Sequence, residues 1–250
     1  MDFEEAIHAR HSTRKFVSEP VPASVTEKLT EICTAHDPID GEHARICIVN
    51  KAVGGKIGTY GVISGAEHFL VLCYTEGDAL APVNAGMKME RVVLWLTAHG
   101  MATCWLGGTF SAGDAARAAS PTEGETIPAV VAFGIGAKND TLFSRLTKWM
   151  AKSKQRKPFD ELFEVSTGSP FHAALEMMRL APSSLNSQPW RAIATDKRVD
   201  FYTVKASDGA RMDLGIGLSH FALTAPAGKW TTDDALLRDG WHYVISYTIY

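Results

Sequence analysis

From Asn84 to His99 the chain is apolar almost all the way round. Met87, Met89, Val92, Val93, Leu94, Trp95 and Leu96 leave no continuous polar face, so a helix here has to be buried, with Gly100 as its cap. A helix of that kind must be wrapped by other elements. The rest of the chain shows what wraps it. Glu31–Ile48 aligns without gaps on Glu176–Ile193, an offset of 145. Asn84-Ala-Gly86 aligns on Asp213-Leu-Gly215, an offset of 129, and Ile127–Gly136 on Trp241–Tyr250, an offset of 114. The order helix, strand, helix, strand recurs while the connections shorten, as in an internal duplication. Identities are few, and chance similarity is the alternative.

The remaining elements follow from local signals. Asp2 and Glu5 form a candidate capping box for a helix ending near Ala9, with Phe3, Ala6 and Ile7 on one face. Ser24 with Glu27 is a candidate start for a second helix, which carries Val25, Leu29, Ile32 and Cys33 and stops before Pro38. Strands are expected at 44–50, 68–74, 102–106, 127–135, 191–195, 199–204 and 241–250, and helices near 170–180 and 214–225. Residues 144–158 are polar and basic, as in a surface excursion.

With 250 residues, 46% of them hydrophobic, the chain can build one large core or two small ones. The net charge of −3 gives no reason to expect nucleic acid or an acidic membrane as partner. Apolar runs such as Phe69–Tyr74 are too short to span a bilayer, and the acidic first ten residues do not resemble a signal peptide. The expected location is cytoplasmic. Cys33, Cys47, Cys73 and Cys104 form no C-x-x-C pair and are expected as free thiols, with no metal site.

Four segments carry candidate chemistry. Arg10-x-Ser12-x-Arg14 places two guanidiniums and a hydroxyl where an extended backbone turns alternate residues to one side, suited to an anion. Alone, it reads more readily as a solvated basic turn. Pro182-Ser-Ser-Leu-Asn186 puts two hydroxyls and a carboxamide on a turn that can meet a heteroaromatic edge; its plainer reading is a helix terminator. Gly100–Gly108 is a strand running into two glycines, which let backbone approach a flat ligand or simply let the chain leave the sheet. Lys154-Gln-Arg156-Lys157-Pro158 is a charge run, or a solvated linker.

Taken together, these segments resemble the FMN-dependent nitroreductase family. R-x-S-x-R-x-F is matched by Arg10–Phe16, and A-P-S-S-x-N-x-Q-P-W by Ala181–Trp190. G-x-x-x-C-W-x-G is matched by Gly100–Gly107, and K-x-R-x-P by Lys154–Pro158, ahead of Asp160-Glu-Leu162. The resemblance implies an α+β nitroreductase-type fold, an antiparallel or mixed sheet flanked by helices. In the ordinary family the enzyme is a homodimer, with flavin between subunits. Here the first half has Asp37-Pro-Ile-Asp-Gly41 where Pro-Ser-Ser-x-Asn belongs, and the second half keeps only that turn. The expectation is a single-chain pseudo-dimer holding one FMN. Residues 1–165 would be the half with phosphate and ring-edge motifs, and 166–250 a shortened half supplying the turn. A variant with both halves in one chain is known within the family.

Residue roles are implied in the same way. Arg10, Ser12, Lys154 and Arg156 would hold the phosphate, and Arg14 the N1/O2 ring edge, where negative charge develops on reduction. A backbone amide at Leu106 or Gly107 would face N5. Pro182, Ser183, Ser184 and Asn186 would close the site from the second half. No protein acid or base is assigned. The implied activity is reduction of nitroaromatics, quinones or a similar flat small-molecule acceptor by NADH or NADPH. Alternatives are a specialised flavin dehydrogenase or dehalogenase of the same fold, and a flavin carrier or sensor.

Overall fold

The computed structural model describes residues 1–39, 41, 43–50, 57, 59–137 and 155–250. Helix α1 (Phe3–Ala9) carries the expected capping box: Asp2 accepts from the Glu5 amide at 2.8 Å, and the Glu5 carboxylate accepts from the Asp2 amide at 3.1 Å. Helix α2 (Ala23–Cys33) is capped differently from expectation. Pro22 is its N-cap, with no side-chain cap bond, because proline's fixed φ already suits a helix entry.

The first sheet contains β1 (Phe16–Val17), β2 (Ala44–Asn50), β3 (His68–Thr75), β4 (Ala102–Leu106) and β5 (Glu125–Gly136). Its order is β1-β5-β3-β2, and β4 also pairs with β5. Every pairing in it is antiparallel. The second sheet contains β6 (Phe163–Val165), β7 (Trp190–Ala194), β8 (Arg198–Thr203), β9 (Gly228–Thr231) and β10 (His242–Ile249), in the order β6-β7-β8-β10-β9. Its β2-, β3-, β5- and β4-like strands are β7, β8, β10 and β9, so the second sheet repeats the first in both order and direction. Strand β6 is the exception. It pairs in parallel with β7, so residues 163–165, expected in the first half, lie in the second sheet.

Helix α3 (Ala81–Ala98) is the buried helix read from the sequence, starting three residues earlier with Pro82 in its first turn. Helix α4 (Ala112–Ala119) joins β4 to β5 and has no expected counterpart. The chain then runs through α5 (Phe159–Leu162), α6 (His172–Arg179) and α7 (Asp208–Thr224). Helices α3 and α7 lie side by side and parallel: Val83 meets Gly215, Gly86 meets Ile216, and Glu90 meets His220. Their contact is reciprocal. Val83 and Met87 of α3 enter the core of the second half, beside Phe171, Trp190 and Phe221, and Met212 of α7 enters the core of the first, beside Leu72, Met89 and Phe133. Each such fully buried side chain contributes about 1.5–3 kcal/mol. A third cluster lies between the first sheet and α4, around Val71, Cys104 and Ala115.

Among the described residues no helix is long and apolar enough to cross a membrane. All four cysteines are free; Cys33, Cys73 and Cys104 are buried and Cys47 is half-buried.

Candidate functional site

The chain leaves α1 at Arg10 and extends along β4. Ser12 forms a parallel bridge with Thr103, and the Thr13 amide donates to the Thr103 carbonyl at 2.9 Å. That path sets the three expected residues around Cys104. The Cys104 thiol, pushed up by burial, is pulled down by the Arg14 charge, a hydrogen bond with Ser12 and the Arg10 charge. Arg10, Ser12 and Arg14 therefore all lie within electrostatic or hydrogen-bonding reach of one side chain, Cys104.

Arg156 approaches from the other side. Its Nη2 donates to the Leu180 carbonyl at 2.9 Å, just past the end of α6, and its Nη1 donates to Asn186 Oδ1 at 3.1 Å. Carbonyls at a helix C-terminus favour a cation. Burial first, and then the charges of Arg10 and Arg179, hold Arg156 down at about 10. Arg156 thus carries its charge at a cost, one that a bound anion would offset. Arg10 Nε is buried, with no hydrogen-bond partner among the described residues; the nearest carboxylate oxygen, Glu90 Oε1, is 3.8 Å away. This donor set fits the phosphate that the motif resemblance implies. Lys154, expected beside Arg156, lies outside the described residues.

The second half contributes its turn. Pro182 and Ser183 are half-buried, and a 3-10 turn covers Ser184–Asn186. Ser183 Oγ accepts from the Gln188 amide at 2.9 Å, and the Ser184 amide donates to both oxygens of Asp213, at 3.0 and 3.1 Å. Asn186 Nδ2 donates to the Gln155 carbonyl at 2.8 Å, and the Lys157 amide donates to Gln188 Oε1 at 2.9 Å. These bonds clamp the turn onto residues 155–157. Leu185, Asn186 and Gln188 are left-handed, with φ of 52°, 55° and 46°. Non-glycine residues adopt this conformation at a cost, and the flanking bonds hold it in place.

Leu106 ends β4 in the core, and Gly107 follows it exposed. A Cβ built on Gly107 or Gly108 would meet nothing within 4 Å, so the space above this backbone is open. That fits a flat ligand lying close to it. Arg156 is thus bonded to Asn186 and within electrostatic reach of Arg10, and Arg10, Ser12 and Arg14 lie around Cys104. Pro182, Ser183 and Ser184 share the Asn186 turn, whereas Leu106 and Gly107 stand at the far end of the strand that Ser12 flanks.

Three residues were missed from sequence. Glu90, fully buried, accepts from Trp105 Nε1 at 2.7 Å and pairs with His220 Nε2 at 2.9 Å, beneath Arg10. Its sequence signal was a carboxylate in an otherwise apolar helix. Gln188 sits at a fixed motif position. Asp213 was visible only as the repeat partner of Asn84.

Comparison with known proteins agrees with this architecture. A "putative nitroreductase" of Thermotoga maritima MSB8 matches all of this chain over 94% of its own, with a TM-score of 0.67 and 23% identity, a likeness of fold. A nitroreductase of Bacteroides fragilis NCTC 9343 with bound FMN covers 57% of this chain and 92% of its own, at 19% identity and a TM-score of 0.44. The FMN-dependent nitroreductase NfnB of Mycobacterium smegmatis, in complex with NADPH, covers 54% and 87%, at 14% identity and a TM-score of 0.44. No curated protein sequence matches. The family model described as "Putative TM nitroreductase" matches residues 2–225, and the chain belongs to that nitroreductase family.

Proposed function

We propose that this chain binds one FMN in the composite site and is an NAD(P)H-dependent oxidoreductase that reduces nitroaromatics, quinones or a similar flat acceptor. The observation that carries this reading is the Arg156–Asn186 bond beside Arg10. It joins the Lys154–Pro158 segment, which the motif resemblance assigns to the first half, to the Pro-Ser-Ser-x-Asn turn of the second, within electrostatic reach of Arg10.

When bound, FMN supplies two-electron hydride chemistry between a nicotinamide and the acceptor. The chain's own residues bind and orient. Arg10, Ser12 and Arg156 hold the phosphate, with Lys154 as a further cation from the same motif. Arg14 places a fixed positive charge at the edge of the ring, and the exposed backbone at Gly107 faces it. Ser183, Ser184 and Asn186 close the site from the second half. Since both halves are in one chain, no second copy is needed to complete it.

The test is flavin extraction with acid from a cofactor-replete preparation, quantified against protein, followed by anaerobic NAD(P)H addition to the holoprotein. One FMN per chain, bleached by NAD(P)H and recoloured by a quinone, is expected. Absence of flavin overturns the reading, and a ratio near two per chain overturns the single composite site.

A further inference from the structure

We infer that Asp213 is a positioning residue of the flavin-facing turn: through the Ser184 backbone amide, its buried carboxylate sets the placement of Ser183, Ser184 and Asn186. The inference rests on the reading in the preceding subsection and names a residue that the motifs do not.

The first observation is the bond itself. Both Asp213 oxygens accept from one amide, Ser184 N, and Oδ2 also faces the Ser187 hydroxyl at 3.5 Å. Asp213 is 4% exposed, so these bonds form away from water, where charge-assisted bonds are strongest.

The second is what the turn demands. Leu185, Asn186 and Gln188 all hold left-handed backbones without being glycine. That arrangement persists only when bonds on both sides determine it. Gln155 and Arg156 anchor one side through Asn186. Asp213, on α7, anchors the other.

The third is an internal control supplied by the duplication. Offset 145 relates Ile39 to Ser184, and offset 129 relates Asn84 to Asp213. The Ile39 amide donates to Asn84 Oδ1 at 2.9 Å, the same bond in the same place. Asn84 Nδ2 returns a bond to the Ile39 carbonyl at 3.3 Å. In the half that lost the Pro-Ser-Ser-x-Asn turn, the counterpart of Asn186 is Gly41, at φ 118°, where glycine adopts a left-handed backbone without strain. The other half keeps the Asn186 side chain at that position, at φ 55°.

The donor set explains the exchange of amide for carboxylate. Asn84 faces one donor and one acceptor, both from Ile39, which suits a carboxamide. Both Asp213 oxygens face the Ser184 amide, which only donates, while the Ser187 hydroxyl can donate or accept. A carboxylate accepts at either oxygen, whereas an asparagine would hold its NH2 against that amide.

The experiment uses full-length protein stripped of flavin and titrated separately with FMN and riboflavin, followed by flavin fluorescence. Asp213→Ala should weaken both ligands alike, by roughly tenfold to a hundredfold, because the turn meets the ring that both share. Asp213→Asn should recover part of the loss for both. Asn84→Ala removes the equivalent bond in the other half and should leave both affinities near wild type. Urea midpoints show that each variant is folded. The inference is overturned if folded Asp213→Ala binds both ligands like wild type, if Asn84→Ala loses as much, or if FMN alone is weakened. Should Asp213→Ala not fold, Asp213→Asn decides: equal, intermediate loss supports the inference, and unchanged affinity overturns it. Wild-type protein that takes up neither ligand fails the functional reading itself, whatever the variants do.

Discussion

Gly86 and Gly215 each make room for the other's helix. A Cβ on Gly86 would collide with the Met212 carbonyl oxygen and lie 2.9 Å from Ile216 N, and a Cβ on Gly215 would collide with the Val83 carbonyl oxygen and lie 2.9 Å from its carbon. The offset 129 carries Gly86 to Gly215 and Val83 to Met212, so the two contacts are one contact seen from both sides, as at an isologous interface. Gly86→Ala and Gly215→Ala should therefore cost similar stability, about 1–3 kcal/mol or more each, since backbone cannot yield like a side chain. Urea denaturation checks this. One substitution proving neutral while the other unfolds the protein would count against the equivalence.

Arg10→Ala should weaken FMN by roughly tenfold to a hundredfold, the value of one charge-assisted hydrogen bond. Riboflavin lacks the phosphate and should bind the variant almost as it binds wild type. Parallel titration of the two ligands gives the answer. Equal losses would place Arg10 at the ring.

Arg14 is assigned to the ring edge, where charge matters more after reduction than before. Arg14→Gln should lower the two-electron midpoint potential, and ~1.4 kcal/mol of lost differential stabilisation corresponds to about 30 mV. Hydride uptake from NAD(P)H should slow in parallel. A spectroelectrochemical titration of the FMN-saturated variant decides: an unchanged potential would make Arg14 a second phosphate ligand.

Burial pushes Asp213 up to about 6 from an ordinary 3.8, against the opposing hydrogen bonds from Ser184 and Ser187. The folded protein then holds this proton more tightly than the unfolded chain does. The contribution to stability is fully present below pH 3.8 and is lost as pH rises through 6. Relative to Asp213→Asn, the wild type should lose up to roughly 3 kcal/mol between pH 4 and 7. Urea midpoints across that range, compared between the two proteins, measure it. A constant difference would mean that Asp213 titrates normally.

Hydrogen bonding with Cys73 pulls the Cys47 thiol down from its ordinary range; burial opposes this, and Arg45, whose Nη1 donates to Cys47 Sγ at 2.7 Å, assists. Burial pushes Cys33 up to about 12. At pH 7, iodoacetamide should label Cys47 first, with Cys33 and the buried Cys104 lagging, and Arg45→Met should slow the labelling. Peptide mass spectrometry follows each site. Labelling of Cys33 at the same rate as Cys47 would contradict the assignment.

Apart from the duplication, what could be read from the sequence was what lies within one segment. The α3 helix was legible because no face of it is polar, although its true start at Ala81 hid behind Pro82. Helix α7 was expected from Leu214, yet it begins at Asp208 with Ser207 as its cap. Gly209, Gly215 and Gly217 lower its intrinsic propensity, and packing against α3 overrides that. Strands β6 and β9 escaped notice because three or four residues become a strand only when a neighbour pairs with them. The same division holds at the site. Arg10, Ser12, Arg14, Arg156 and the Ser183–Asn186 turn were legible as motifs. Glu90 with His220, 130 residues apart, was not, because only the α3–α7 contact brings them together.

The composite site also has a consequence for synthesis. Its parts run from Arg10 to the anchor at Asp213, so a nascent chain stopped in the first half has the cations and strand β4 but no turn to face them. The proposed cofactor can load only after α7 has emerged from the ribosome and docked on α3. From then on a cofactor held in the proposed site would bind the folded state of both halves together, so its uptake should raise the unfolding temperature of the whole chain in one step.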